Sequence, residues 1–169
     1  MGLNGKLIKI PLGSEVFHKE FERHLLLVYV GKPHFSGANN WELFKRHIDG
    51  DQEIVEFFEK LKENAIAMKA ALQQEDIYRI SEVLNDDWQT RKAMLPGMTT
   101  PEIERLTFES FKIGAFALRV CGAGGGGCVA LLIDPAKRDE LEDFVKRANM
   151  QILPSNIADD GIRVSEEFQ

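Results

Sequence analysis

Gly114-Ala115-Phe116-Ala117-Leu118-Arg119-Val120-Cys121-Gly122-Ala123-Gly124-Gly125-Gly126-Gly127-Cys128-Val129-Ala130-Leu131-Leu132-Ile133 is the stretch that decides the fold. Phe116 to Val120 and Cys128 to Ile133 are apolar runs of strand length, bounded by glycine. They lie so close in sequence that they are expected to pair antiparallel. Gly122 to Gly127 between them holds five glycines in six residues. A plain hairpin needs only one or two, and each ordered glycine costs roughly 0.5–1 kcal/mol more than alanine. Two readings account for the surplus. The loop amides converge on an anion, or another backbone approaches where a Cβ would not fit.

The loop matches G-x-G-x-x-G through Gly122, Gly124 and Gly127. The dinucleotide-binding use of that pattern must open a helix, whereas Cys128 to Ile133 continues as strand. The acidic residues some way on, Glu142 and Asp143, fall on a helix rather than at a strand end. No Lys-Ser or Lys-Thr follows the glycines, so the Walker A loop is excluded as well.

Outward from the hairpin, Asp134-Pro135 is expected to cap a helix that buries Leu141, Phe144, Val145 and Ala148. Gln151-Ile152-Leu153 and Ile162-Arg163-Val164 read as short strands. Upstream, Thr100 and Pro101 are N-cap and first residue of a helix ending near Gly114, with Glu102 and Glu104 complementing its dipole. Leu95-Pro96-Gly97 breaks the chain before it. Ile77, Ile80, Leu84 and Trp88 mark one helix face, and Ile54, Phe57, Phe58, Leu61, Ala65, Met68 and Leu72 a longer one. Leu25 to Val30 is a continuous apolar run, expected to be a strand buried on both faces. A helix from Ser14 to His24 with Ser14 as N-cap precedes it, and Leu7 to Ile10 alternates like a strand. The order of strand, helices, two strands, helix, strand predicts an α+β, ferredoxin-like sandwich: an antiparallel sheet with helices on one face, in a single domain spanning residues 1–169.

Composition narrows the function. The 169 residues are 44% hydrophobic and 28% charged, an ordinary globular balance. A net charge of −6 with no basic run argues against nucleic acid and against anionic membranes. No stretch approaches the roughly 20 apolar residues of a membrane span, and no apolar segment follows Met1 to Lys6 as a signal peptide requires. Two cysteines, Cys121 and Cys128, are too few for a disulfide scaffold and fit a reducing, cytoplasmic setting. They are assigned to packing or disulfide-free cross-strand contact; no metal site is expected. His18, His24, His34 and His47 show no ligand spacing, Trp88 ends an apolar stripe and belongs in the core, and Asp86-Asp87 is expected at the solvent face.

Gly114 to Cys128 resembles the third motif of the GHMP kinases, the superfamily of galactokinase, homoserine kinase, mevalonate kinase and phosphomevalonate kinase. Leu25 to Ser36 is similar to the strand and turn after that family's domain junction. Trp88 to Lys92 with Pro101 to Glu104 is similar to its helix pair before the third motif. The branch most resembled phosphorylates D-glycero-D-manno-heptose 7-phosphate. Arg119 stands where the family often has Lys, and His34 where it often has Arg. The resemblance implies the C-terminal domain of an ATP-dependent sugar or sugar-phosphate kinase of carbohydrate metabolism. Gly122, Ala123, Gly124, Gly125, Gly126 and Gly127 would support the nucleotide phosphates, and His34, Ser36, Arg91 and Lys92 would approach the substrate. ATP and Mg²⁺ are expected for the complete kinase, with neither held tightly by this chain alone. The family's phosphate-wrapping loop and catalytic groups reside in an N-terminal ATP-binding domain, which is expected to be absent here. Pro11-Leu12-Gly13-Ser14 echoes that loop only faintly. No catalytic residue is therefore assigned to the chain, and little activity is expected of it alone. An N-terminal half on a separate chain, or a second copy docked on the face that half would cover, are the partners this implies. The competing reading is a non-enzymatic remnant or module that binds a small anion or a partner chain.

Overall fold

The computed structural model describes residues 10–31, 37–94, 97–122 and 124–158. Residues 7–9 and 162–164, expected as strands, lie outside the described residues, as do His34, Ser36 and Ala123. Ile10 itself is exposed and outside any regular element.

Helix α1 (Glu15–His24) starts where Ser14 accepts the Phe17 N–H on its hydroxyl. Strand β1 (Leu25–Tyr29) follows directly. Helices α2 (Gly37–Ile48), α3 (Gln52–Gln73) and α4 (Ile77–Met94) come next, α3 capped by the Asp51 carboxylate. Helix α5 (Pro101–Ile113) has Thr100 as N-cap and Gly114 as C-cap. The hairpin β2 (Ala115–Val120) and β3 (Cys128–Ile133) leads through a 3₁₀ turn, Pro135–Lys137, into α6 (Arg138–Arg147) and β4 (Gln151–Leu153). The turn intervenes because the Asp134 side chain caps Ala136, one residue after the proline, rather than the helix proper.

The four strands form one antiparallel sheet in the order β2-β3-β1-β4. β1 and β2 are parallel to each other with β3 between them, which makes the fold the α+β ferredoxin-like sandwich. Leu26, Val28, Leu118, Val120, Val129, Leu131 and Ile133 share one core with Ile103 and Leu106 of α5 and Leu141 and Val145 of α6. Residues of the opposite alternation, Ala117 and Leu132, join a smaller cluster with Phe17 of α1, Ala71 of α3 and Ile80 of α4.

β1 departs from the expectation of burial on both faces. Leu26 and Val28 are fully buried, while Leu25, Leu27 and Tyr29 are only half-buried. The core helices cover the first pair, and the second face is closed at one end only.

The α3–α4 pair stands beside edge strand β2. Asn85 of α4 donates its amide to the Phe116 carbonyl (2.8 Å) and accepts the Leu118 N–H (3.3 Å). One side chain thus satisfies a backbone donor and an acceptor that an edge strand would leave open.

Candidate functional site

The loop after β2 folds inward. Gly124, Gly125 and Gly126 are buried, while Gly122 is exposed. All five glycines adopt positive φ, from 70° to 132°. The Gly125 N–H donates to the Met98 carbonyl just before α5 (2.9 Å), and the Gly127 N–H to the Gly31 carbonyl beyond β1 (3.0 Å). Gly127 accepts in turn from the Val30 N–H (2.9 Å). A Cβ on Gly124 would lie 2.5 Å from Met98 Sδ and 3.3 Å from the Met98 carbonyl oxygen. The loop is therefore glycine-rich for close backbone approach, with Met98 on one side and Gly31 on the other. Its Gly125 and Gly127 amides are committed inside the fold.

Beside the hairpin lies a cavity of about 350 Å³ between α3, α4 and β2. Leu61, Met68, Leu72 and Val83 supply apolar walls; Lys69, Asp87, Arg91 and Arg119 supply charge. Asp87 is 7% exposed, which corrects its expected place at the solvent face. Only Asp86 of that pair is exposed. The Asp87 carboxylate receives Arg91 Nε at 2.8 Å and Arg119 Nη1 at 3.0 Å. One turn of α4 brings Asp87 to Arg91, while Arg119 reaches them from the strand. The cation pair cannot be inferred from spacing, because it is made across elements. Both guanidiniums stay about one-third exposed and keep further N–H donors for the cavity. The Asn64 side-chain amide nitrogen, another lining group, is buried with no hydrogen-bond partner among the described residues.

Arg91 and Lys92, expected to act together, diverge. Lys92 lies 3.6 Å from Glu104 of α5 and 5.8 Å from the centre of the Trp88 ring. Trp88 is in the core, 2% exposed. His18 and His24 serve local roles, their rings donating to the Leu12 and Glu20 carbonyls. Cys121 and Cys128 are free, and the Cys121 N–H donates to the Cys128 carbonyl across the hairpin (2.8 Å). Burial pushes the Cys121 thiol up from its ordinary range, with the Cys128 thiol adding to the shift; the Ala130 backbone and Arg119 oppose it. Among the described residues no three His, Cys, Asp or Glu side chains gather to hold a metal ion.

Residues 68–151 match the family model for the C-terminal region of the GHMP kinases. Over those residues the chain is a GHMP kinase C-terminal domain. It is 25% identical over 126 residues to the D-glycero-alpha-D-manno-heptose 7-phosphate kinase of Campylobacter jejuni, covering 75% of this chain and 37% of that protein. It is 26% identical over 170 residues to the mevalonate kinase of Pyrococcus abyssi, covering 92% and 49%. In fold it is similar to a D-glycero-D-manno-heptose 1-phosphate kinase from Bacteroides thetaiotaomicron, with a TM-score of 0.63 at 20% identity over 96% of this chain and 43% of that one. The chain thus spans between about a third and a half of the length of the relatives it matches. Among the described residues, no helix is long and apolar enough to cross a membrane.

Proposed function

We propose that this chain acts as the C-terminal domain of an ATP-dependent small-molecule kinase of the sugar or sugar-phosphate type, with an acceptor that carries an anionic group. The observation that carries this is the buried glycine hairpin with the charged cavity beside it, on the fold that the heptose and mevalonate kinases share. In phosphoryl transfer a protein contributes mostly positioning and charge stabilisation. The residues divide that work. Arg91 and Arg119 hold an anionic group of the acceptor, because guanidinium forks match phosphate and carboxylate. Asp87 aims both guanidiniums, and the Asn64 amide donates to an acceptor oxygen. The apolar wall on α3 excludes water from that end.

The hairpin plays the structural part. Held to Met98 and Gly31 and with five of its six residues lacking a Cβ, it serves as a wall for a neighbouring backbone that carries nucleotide phosphates. Two of its amides donate within the fold, to the Met98 and Gly31 carbonyls, and so are not free to meet a phosphate. When bound, the nucleotide supplies the phosphoryl group. The grip on it belongs to a further kinase segment, on this polypeptide or on another chain, and the reaction proceeds in the cytoplasm.

The test is an ATP-dependent phosphorylation assay with a panel of sugar phosphates. It compares the 169-residue chain alone with the same chain captured from its native cells together with whatever it binds. Transfer by the captured assembly and none by the bare chain is expected. Robust turnover by the bare chain would overturn the division of labour; no transfer by either, with a folded chain, would favour a non-enzymatic anion-binding module.

A further inference from the structure

Cys121 and Cys128 flank the glycine loop as the pair next beyond Val120 and Val129 in the β2–β3 register. Their backbones are joined by the Cys121 N–H to Cys128 carbonyl bond. Residues opposed in this way carry their side chains on the same sheet face, with Cα atoms about 5.5 Å apart. That separation falls within the span a disulfide bridges, roughly 4.4–6.8 Å. Both thiols are free, Cys121 is exposed and Cys128 is half-buried. The face they occupy is that of Tyr29, the cross-strand partner of Cys128, which the core helices leave half-open. Neither thiol takes part in the site described above.

We propose that Cys121 and Cys128 are a redox modification site: a reversible disulfide between them clasps the mouth of the glycine hairpin. The oxidant is hydrogen peroxide. Cys121 attacks one peroxide oxygen as its thiolate, a form that burial disfavours near neutral pH, so the step quickens as pH rises; an S–O bond forms as the O–O bond breaks, and the departing hydroxide takes up the thiol proton as the first water. The Cys128 sulfur then displaces the hydroxyl from the resulting sulfenic acid, the S–S bond forms, and the second water leaves. Two thiols lose two electrons and two protons, and the peroxide is reduced to two waters. A dithiol reverses the step by exchange. The bridge closes a short ring around Gly122 to Gly127 and restricts the five positive-φ glycines. It leaves the amide bonds to Met98 and Gly31 in place.

The experiment treats the reduced chain with hydrogen peroxide, alkylates remaining thiols and digests with trypsin. Cleavage after Arg119 and Lys137 leaves both cysteines on one peptide, residues 120–137. That peptide is expected to lose two hydrogens and both alkylation sites, and to regain both sites after dithiothreitol. Amide exchange at Gly125 and Gly127 is expected to slow by about tenfold in the oxidised chain, as a cross-link would cause. Cys128→Ser should halt at a Cys121 sulfenic acid that dimedone traps. Both thiols remaining alkylatable, disulfides forming only between chains, or each sulfur advancing separately to sulfinic acid would overturn the proposal. These readouts are independent of kinase activity, so they stand apart from the functional reading.

Discussion

At the scale of single residues, Gly124 and Gly122 separate two reasons for glycine. Gly124 combines φ +83° with a Cβ position 2.5 Å from Met98 Sδ, whereas Gly122, at φ +70°, has nothing within 4 Å. Gly124→Ala should cost about 2–3 kcal/mol through left-handed strain plus overpacking. Gly122→Ala should cost only about 1 kcal/mol, from the backbone conformation alone. Equilibrium urea denaturation of both variants checks the ordering; equal losses would mean that Met98 does not confine the loop. Asp87 is the second case. Removing its carboxylate leaves two neighbouring guanidiniums repelling each other at the cavity. Since both are partly solvated, Asp87→Ala should cost about 1–2 kcal/mol, read as a lowered Tm. The glycine surplus was visible in the sequence, and so was the alternative of close backbone approach. Its partners Met98 and Gly31 were not, since they meet the loop from distant parts of the chain. Asp87 was misread as solvent-facing because Asp86 beside it is, and because its cation on β2 lies 32 positions away.

At the scale of elements, local signals located most helices and strands. Ser14 and Thr100 cap the helices they were expected to cap, and Pro101 begins α5. The apolar stripe from Ile54 to Leu72 lies on α3. Helix α2 was missed for a physical reason: its sequence opens on Gly37, Asn39 and Asn40, poor helix formers. Trp41, Phe44 and Ile48 recur at helix spacing but are exposed, and of its large apolar residues only Leu43 reaches the core, so α2 is held by few buried contacts. The pair of hydrogen bonds between Asn85 and β2 belongs at this scale as well. Asn85→Ala leaves the Phe116 carbonyl and the Leu118 N–H without their partner, and should cost about 1–3 kcal/mol. Faster hydrogen exchange at Leu118, with β3 amides unaffected, would locate the loss at the strand edge. Unchanged exchange there would mean that water or another group takes the place of Asn85.

At the scale of the whole molecule, the sandwich sets the glycine hairpin and the Arg91–Asp87–Arg119 cluster side by side, because β2 ends in the loop and carries Arg119 just before it. The α+β class was legible from the succession of apolar runs and helices, and the antiparallel hairpin from chain proximity. Which helices would build a cavity against β2 was not, since that depends on how the α3–α4 pair leans on the sheet edge. In the proposed function these two features serve one role, the wall and acceptor-anion end of a small-molecule kinase. Its most direct test is steady-state transfer from ATP to a panel of neutral sugars, sugar phosphates and mevalonate by the natively captured protein, compared with its Arg119→Ala form. The account predicts transfer to an anionic acceptor, with KM for that acceptor raised about tenfold or more by the substitution and kcat changed far less, as expected when a charge-assisted contact to bound substrate is lost. Transfer confined to neutral sugars, or an Arg119→Ala protein with unaltered KM, would contradict it.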